Sequence, residues 1–334
     1  DFEIVENPNP KDVREGTVAR GSATCPVCGY TTPVTSIRDQ LRKRHGGSSD
    51  ARLFCIITTK SDELGRFYRL PNKRDFTAAY SAKIELDKRI KEWSGSRTLV
   101  PDELLPPKGT LGFRVQGYGM GKWVDLFTSR QTLSLIEIYN LISKFSKISQ
   151  YNSNQFKDAV QVCLSLALDR MADKNASLTV WNTIGEKIEH VFGRQALPMS
   201  WDFPEVNIFS DSTGNWISHI NLISEVIDYN SKNSENGITE RASALKLPLP
   251  DDSISCYFTD PPYYDSVPYS DLSDFFYVWL KRSVPESLRE EFRDENTPKQ
   301  EECIVDPIKG KDNKFFENNM AIAMSEGRRI LSPN

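Results

Sequence analysis

A short proline-containing segment, Asp260-Pro261-Pro262-Tyr263, has the clearest chemical potential in this sequence. It follows the alternating run Ile-Ser-Cys-Tyr-Phe at 254–258, whose β-branched and aromatic residues predict a strand. Two consecutive prolines end a hydrogen-bonded ladder and exclude a helix, so they predict a rigid, extended loop after the strand. In open α/β sheets, ligands bind at loops that follow the carboxyl ends of strands. The segment therefore predicts a loop that offers a carboxylate, backbone carbonyls and an aromatic ring to a ligand.

These groups suit a planar substrate that carries an exocyclic amine, such as adenine. The lone pair of such an amine is delocalised into the ring, which makes the nitrogen a poor nucleophile. The carboxylate of Asp260 and the carbonyl of Pro261 could each accept a hydrogen bond from one N–H group and free that lone pair. Tyr263 could stack on a base that has left its helix. The alternative is an ordinary surface turn, because Asp-Pro-Pro is turn-like by itself.

Several other segments extend this pattern. The sequence Ala-Ser-Ala-Leu-Lys-Leu-Pro-Leu-Pro-Asp-Asp-Ser precedes the predicted strand at 242–253, and further characteristic segments lie at 264–282, 125–131, 201–207 and 212–216. Together with the Asp-Pro-Pro-Tyr box, these segments resemble a family of bacterial and archaeal adenine-specific DNA methylases that carry a zinc ribbon. That family belongs to the class I, S-adenosylmethionine-dependent methyltransferases. The similar segments run over nearly the whole chain.

The resemblance implies transfer of a methyl group from S-adenosylmethionine to the N6 amine of a flipped adenine in DNA, with catalysis at Asp260, Pro261, Pro262 and Tyr263. It implies that Ser243 and Ala244 border the adenine ring of the cofactor. It also implies a cytoplasmic, prokaryotic enzyme of restriction–modification or phage defence. In similar families a Ser form of the box accompanies cytosine and an Asn form accompanies glutamine or guanine, so the Asp form favours adenine. Adenine in RNA stays open as an alternative substrate.

Size and composition predict a globular protein with more than one unit. The chain has 334 residues with 38% hydrophobic and 26% charged residues, and its net charge of −4 argues against a general coat for nucleic acid. No apolar run long enough for a transmembrane helix occurs, and the first residues do not form a positively charged leader. A basic cluster at 38–45 is interpreted as a solvated helix end with a glycine stop, the alternative being a phosphate-contacting patch.

Two of the six cysteines, Cys25 and Cys28, have the spacing of a zinc knuckle. A structural zinc takes four ligands, and the resemblance implies that a second Cys-x-x-Cys lies upstream of this point. We therefore expect a zinc half site here, with His45 and Cys55 as weaker candidate partners and redox chemistry as a further alternative. Cys163 and Cys256 are expected to be buried core thiols in a reducing, cytoplasmic setting.

The predicted fold class is α/β: a partial Rossmann-like class I methyltransferase core with an N-terminal zinc-ribbon-like β unit and a helical insertion. The β unit and a helix span 1–100, the aromatic-rich helical insertion spans 101–235 as a candidate target-recognition unit, and the catalytic half of the core spans 236–334. The glycine-dense stretch 111–122 fits no nucleotide-binding motif. Strands are predicted at 52–58 and 65–70, and helices at 75–94, 128–149, 154–175, 217–229, 271–282 and 315–329.

The insertion is dense in aromatic residues, which are interpreted as core beneath a long connection, with a groove for DNA bases as the alternative. The aromatic residues are Trp181, Phe192, Trp201, Phe203, Phe209 and Trp216. Four polar side chains interleaved with them are the candidate DNA contacts, namely Arg170, Lys187, Arg194 and Gln195.

A methyltransferase also needs a glycine-rich turn for its cofactor, and we find none in this sequence. The resemblance implies that this turn lies upstream of the zinc ribbon. We therefore expect the chain to hold the acceptor side of the chemistry and to be completed by a missing N-terminal part or by another subunit. The alternatives are a non-catalytic DNA-binding or structural fragment and one part of a split methyltransferase. No membrane partner is expected.

Overall fold

The computed structural model describes residues 2–11, 13, 16–233, 235 and 237–333. Helices dominate these ranges, and contacts between helices supply most of the packing. The helices are α1 (Val34–Lys43), α2 (Lys73–Glu92), α3 (Ser129–Ile148), α4 (Asn154–Lys174), α5 (Trp216–Asn233), α6 (Tyr269–Ser283) and α7 (Asn313–Ile330).

The strands in the described ranges are short and form small antiparallel sheets. They are β1 (Val18–Ala19), β2 (Ser22–Thr24), β3 (Thr31–Thr32), β4 (Ile56–Thr58), β5 (Phe67–Arg69), β6 (Trp181–Asn182) and β7 (Lys187–Ile188). β1, β2 and β3 follow one another in a three-stranded sheet, whereas β4 pairs with β5 and β6 pairs with β7. The strands predicted at 52–58 and 65–70 are confirmed as the β4–β5 pair, with Ile57 opposite Tyr68. Both are shorter than expected.

Capping side chains determine where two of the predicted helices begin. The Thr128 hydroxyl accepts from the Gln131 amide while the Gln131 side chain accepts from the Thr128 amide, which is a capping box at the start of α3. Asn72 and Asp75 make the same reciprocal contacts at the start of α2. All six predicted helices are confirmed, with ends that differ from the predicted ones by a few residues.

The basic cluster at 38–45 forms the end of α1. His45 takes a left-handed conformation with φ of 49°, and the amide of Gly46 donates to the carbonyl of Leu41 at 2.8 Å. Nearby, the guanidinium of Arg44 lies 2.6 Å from the carboxylate of Asp50. The interpretation as a helix end is confirmed, although His45 rather than a glycine occupies the left-handed position. A role in phosphate contact stays a prediction.

One hydrophobic core joins all three predicted segments. α3 and α4 pack together, α6 packs against both, and α2 packs against α3. Trp123 and Phe275 meet edge-on with ring centroids 6.3 Å apart, and Phe127 and Trp279 do so at 5.4 Å. Leu86 from the first segment belongs to the same cluster as Phe275 and Trp279 from the last. The proposed boundaries therefore divide the sequence at points that the core crosses.

A buried ionic cluster ties the end of α6 to the connector before α3. Glu103 lies 2.5 Å from the ammonium of Lys281 and 3.0 Å from the guanidinium of Arg282, and all three side chains are buried. Arg282 also donates to the carbonyl of Val100 at 2.8 Å. Burial lowers the pKa of Lys281, and the hydrogen bond to Glu103 opposes that change. The carboxylate therefore compensates two cations that have lost most of their water.

The strand predicted at 254–258 is wrong, because the structure has no strand there. Ile254 makes a single parallel bridge to Leu331, in which its amide donates to the carbonyl of Ile330 at 3.0 Å. The amide of Ser332 donates back to the carbonyl of Ile254 at 2.9 Å. Within the described ranges, no segment continues the ladder along 255–258. A strand needs such a ladder, so this run stays extended but unpaired. The Rossmann-like core stays a prediction.

The side chains of this unpaired run are correspondingly open. Phe258 is 92% exposed, and Cys256 is exposed rather than buried. The prediction of a buried core thiol is therefore wrong for Cys256, because the sheet that was to cover it is not formed by the described residues. Cys163 is half-buried on α4.

His219 is buried on α5 with one ring nitrogen unpaired. Its Nε2 atom lies 3.2 Å from the carbonyl oxygen of Gly214, and its Nδ1 atom has no hydrogen-bond partner among the described residues. Burial, aided by the nearby positive charge of Arg170, lowers the pKa of His219 from 6.5 to about 4. The folded protein therefore keeps this ring neutral at pH values at which the unfolded chain is protonated.

Acidification from pH 6.5 to about pH 4 should destabilise the folded protein through His219. In that window the unfolded chain binds one more proton than the folded chain, so the free energy of unfolding falls as the pH falls. The lowered pKa corresponds to about 3 kcal/mol once the pH is below both values. Urea unfolding across this window should show a weaker pH dependence in His219→Gln than in the wild type. The exposed His45→Asn is the control, and an unchanged pH dependence in His219→Gln would contradict the assignment.

No helix within the described ranges has both the length and the apolar character needed to cross a bilayer.

Candidate functional site

The four residues of the Asp-Pro-Pro-Tyr box lie in one accessible loop between the bridge at Ile254 and the start of α6. Asp260, Pro261 and Tyr263 are exposed, and Pro262 is half-buried. The carboxylate of Asp260 makes no hydrogen bond or ion pair with any residue in the described ranges. Its oxygens are therefore free to accept hydrogen bonds from a ligand.

The two tyrosines of the loop fix its position. The amide of Tyr263 donates to the hydroxyl of Tyr269 at 3.3 Å, and their rings meet edge-on with centroids 6.4 Å apart. The carbonyl of Tyr264 accepts from the amide of Val305 at 2.9 Å, and its ring packs against Phe316 with centroids 4.8 Å apart. The loop geometry therefore depends on both the start of α6 and the first turns of α7.

Upstream of the box, the ring of Tyr257 packs against Gly327 on α7. A Cβ atom at position 327 would lie 2.3 Å from Cε1 of Tyr257, which is closer than any van der Waals contact. Glycine inside a helix costs about 1 kcal/mol relative to alanine. The close approach of Tyr257 explains why a glycine stands there in spite of this cost.

Gly327→Ala should destabilise the protein by about 1–3 kcal/mol even though alanine is the better helix former, because the new methyl group overlaps the Tyr257 ring. Adding Tyr257→Ser removes the ring and should recover most of that loss, which thermal unfolding of the single and double variants measures. Ser325→Ala, at an exposed position of the same helix, is the control and should be close to neutral. A Gly327→Ala variant that is more stable than the wild type would contradict this account.

Buried polar contacts fix the first turns of α6. Glu302 accepts from both the amide and the hydroxyl of Ser270, at 2.7 and 2.6 Å. The ammonium of Lys299 lies 2.7 Å from the carboxylate of Asp274. Burial raises the pKa of Asp274, and the hydrogen bond from Lys299 opposes that change. Because Tyr269 is the first residue of α6, these contacts also set the position of its ring.

A cleft of ≈ 360 Å³ opens between α6 and the loop 192–195. Its lining combines aromatic rings with polar side chains. The aromatic lining residues are Phe192, Tyr269 and Phe276, and the polar ones are Arg194, Gln195 and Ser273. Tyr269 belongs both to this cleft and to the contact with Tyr263, so the cleft lies directly beside the Asp-Pro-Pro-Tyr loop.

The side chains predicted to contact DNA are only partly brought together. Arg194 and Gln195 line the cleft, whereas Arg170 and Lys187 do not. Lys187 lies 3.6 Å from Glu189, and Arg170 is exposed on α4. Sequence reasoning gave no role to the rings that α6 contributes. The sequence feature that could have indicated an aromatic site here is the recurrence of tyrosine at 263, 264 and 269, shortly after the prolines.

The aromatic residues of the insertion are only partly core. Phe192 and Trp216 are half-buried and pack against the hydrophobic core. Trp201 meets Tyr118 edge-on with centroids 5.7 Å apart but keeps nearly half of its surface exposed. Phe209 is exposed, so the core interpretation is wrong for that residue.

Ser243 and Ala244, the predicted cofactor contacts, lie in an exposed turn. The amide of Lys246 donates to the carbonyl of Ser243 at 3.0 Å, and the amide of Leu247 is held by Glu326 of α7 at 2.8 Å. Neither predicted residue lines the cleft beside the Asp-Pro-Pro-Tyr loop. An open turn does not enclose a ligand of the size of S-adenosylmethionine, so the described residues at this position do not by themselves fit that group.

Cys25 and Cys28 lie in a tight turn between β2 and β3. Gly29 has a φ of 72° and its amide donates to the carbonyl of Cys25 at 2.9 Å. Backbone amides, chiefly that of Cys28, donate to the Cys25 sulfur and lower its pKa. This arrangement favours the thiolate, the form that metals bind. The described ranges contain no group of three or more metal-ligand side chains, so His45 and Cys55 do not complete this pair, and the zinc half site stays a prediction.

Comparison with known protein families finds no family model that matches this chain. No curated protein and no solved structure matches it either. The resemblance to adenine-specific methylases therefore stays a prediction from the motifs of the sequence.

Proposed function

We propose that this chain forms the acceptor side of an S-adenosylmethionine-dependent methyltransferase that modifies the N6 amine of adenine in DNA. The observation that carries this proposal is the state of Asp260, an exposed carboxylate with no partner in the described ranges. It stands directly before two prolines, in a loop that Tyr263 and Tyr264 anchor to α6 and α7. An unpaired carboxylate in an anchored loop suits recognition of an N–H donor.

The chemistry follows from the hydrogen-bonding groups of the loop. Asp260 and the carbonyl of Pro261 each accept one N–H of the adenine amine, which localises the nitrogen lone pair. With a methyl donor bound, the amine would gain an N–CH₃ bond as the donor's S–CH₃ bond breaks, and the amine would lose one N–H proton to solvent. Tyr263, which is exposed, stacks on the extruded base. This stacking orients the base so that its amine faces the two acceptors. S-adenosylmethionine supplies the methyl group when bound.

DNA is the proposed partner because the aromatic and cationic side chains beside the loop suit a nucleic-acid strand. The net charge of −4 restricts such binding to local surfaces, and the cleft with Arg194 is one of them. Base extrusion is required, because the amine of a stacked adenine cannot reach the Asp260 carboxylate inside a duplex.

A second candidate function has an observation of its own. The turn at Ser243 and Ala244 is exposed and does not enclose a cofactor. This favours a DNA-binding or structural chain that takes no part in methyl transfer.

A methyl-transfer assay separates these functions. This chain, together with the cofactor-binding part or subunit that completes it, is incubated with labelled S-adenosylmethionine and either duplex DNA or RNA, and the digested nucleosides are identified by mass spectrometry. We expect N6-methyldeoxyadenosine from DNA. DNA binding without any methylated nucleoside would favour the second candidate, methyl-adenosine from RNA alone would replace the substrate, and methylcytosine would contradict the assigned acceptor.

A further inference from the structure

The cleft beside the Asp-Pro-Pro-Tyr loop has the composition of a pocket for a flat, polar-edged ligand. Phe192 and Tyr269 offer ring surface, while Arg194, Gln195 and Ser273 offer hydrogen-bond donors and acceptors. Its volume of ≈ 360 Å³ falls in the range of about 300–1,000 Å³ that is usual for small-ligand pockets. A nucleobase has this combination of aromatic faces and polar edges, and aromatic stacking with cationic support is the usual way to hold one.

The polar side chains of the cleft are available to a ligand. Arg194 and Gln195 are exposed, and neither side chain makes a hydrogen bond or ion pair within the described ranges. In contrast, many of the arginines elsewhere are paired with carboxylates, as Arg130 is with Glu205 at 2.7 Å. An unpaired guanidinium beside aromatic rings favours an anionic ligand with a π-face, which describes a nucleotide.

Core packing holds one aromatic wall of the cleft, the ring of Phe192. The ring of Phe192 lies 5.2 Å from the rings of both Phe275 and Phe276, measured between centroids. Phe275 is completely buried in the core. Because the wall is fixed by core packing, a base can bind without the cost of ordering these side chains.

The cleft is close enough to serve a strand whose acceptor base lies on Tyr263. The Tyr263 and Tyr269 ring centroids are 6.4 Å apart. Because the acceptor has left the stack, the position of its neighbour is set by the backbone that links the two nucleotides, which spans a separation of this size. A base next to an acceptor on Tyr263 therefore falls within reach of the cleft.

We propose that this cleft receives the base adjacent to the acceptor adenine in the same DNA strand, with Phe192 and Tyr269 stacking on it and Arg194 and Gln195 contacting its edge and phosphate. The assignment rests on the proposed function, since it takes an adenine at Asp260 as its reference point. If the base binds there, the cleft helps to determine which base is accepted next to the target adenine.

The test uses a DNA duplex whose target strand contains one adenine, placed opposite an abasic sugar so that its extrusion costs little. Two further duplexes lack the base on the 5′ or the 3′ side of that adenine. Fluorescence anisotropy gives the dissociation constant of each duplex for the wild type, Arg194→Ala and Gln195→Ala. Both substitutions are at exposed positions. The control is Arg66→Ala, which removes a half-buried arginine outside the cleft whose guanidinium donates to the carbonyl of Gly65 at 3.4 Å.

We expect removal of one of the two flanking bases to weaken wild-type binding about tenfold, as loss of one stacked base does. Arg194→Ala and Gln195→Ala should weaken binding of the intact duplex. Removal of the flanking base should then weaken their binding little further, because the contact between this base and the cleft is already lost. Arg66→Ala should behave as the wild type. The inference is overturned if removal of neither flanking base changes the dissociation constant, or if no duplex binds. It is also overturned if the effects of the missing base and of the substitution on the dissociation constant multiply as independent effects do. The same holds if Arg66→Ala weakens binding as much as Arg194→Ala.

The binding test and the methyl-transfer assay can fail independently of each other. Adenine methylation without this coupling would overturn the role of the cleft and leave the methyltransferase proposal standing. Coupling between the cleft and a flanking base without methyl transfer would overturn the methyltransferase proposal for this chain while supporting the cleft as a base-binding site.

Discussion

Asp260→Ala should reduce methyl transfer to adenine by at least about 100-fold, the size of effect that loss of one positioned polar group has on a transition state. The carboxylate is the acceptor that holds one amine N–H, and no other carboxylate belongs to the Asp-Pro-Pro-Tyr box. Its side chain is exposed and unpaired in the described ranges, so its removal breaks no contact of the fold. Surface changes of this kind usually alter stability by no more than about 0.5 kcal/mol.

The measurement is the initial rate of N6-methyladenine formation, alongside the thermal unfolding of each variant. Asp265→Ala is the matched control, because it removes an exposed carboxylate five residues further along the same loop. That variant should keep most of the activity. If Asp260→Ala methylates DNA at the wild-type rate, or if Asp265→Ala loses as much activity, the role given to Asp260 is wrong.

Glu103→Ala should destabilise the protein by about 3–5 kcal/mol, which is the usual cost of removing one partner from a buried ionic pair. The substitution leaves the ammonium of Lys281 and the guanidinium of Arg282 buried without their carboxylate. Burial lowers the pKa of Lys281 even with Glu103 present. Loss of the Glu103 carboxylate therefore favours the neutral amine of Lys281 or a structure that opens to water.

Urea unfolding at neutral pH measures this loss. Asp102→Ala is the control at the adjacent position, since its carboxylate is half-exposed and lies 3.9 Å from Arg282. It also accepts from the hydroxyl of Thr98 at 2.6 Å. Loss of such a part-exposed carboxylate should cost less than loss of the buried one. A Glu103→Ala variant no less stable than Asp102→Ala would show that the buried cluster is compensated in another way.

The helices were predictable because their signals are local. Thr128 before the run 129–148 and Asn72 before α2 both follow the preference of small polar residues for N-caps, and the apolar residues recur at helical spacing. The buried pairing of Glu103 with Lys281 and Arg282 had no such signal. Its partners are far apart in the sequence, and only tertiary packing brings them together.

The candidate site was predictable in part for the same reason. The Asp-Pro-Pro-Tyr loop is defined by consecutive residues, and its exposure follows from the two prolines. The strand before it was predicted from alternation and β-forming residues, yet neither property supplies a neighbouring strand for its backbone. The cleft was not predicted as a unit, because Arg194 comes from one segment and Tyr269 from another, with the contact between α6 and the loop 192–195 joining them.

The continuity of the core has a consequence for how the protein unfolds. Leu86, Trp123 and Trp279 come from the three predicted segments and share one buried cluster. Cutting the chain at 100 or at 235 would leave each piece with a bare apolar face and a fraction of the burial that stabilises it. We therefore expect these segments to melt in a single cooperative transition, so that the acceptor loop and the neighbouring cleft are lost together and not one after the other.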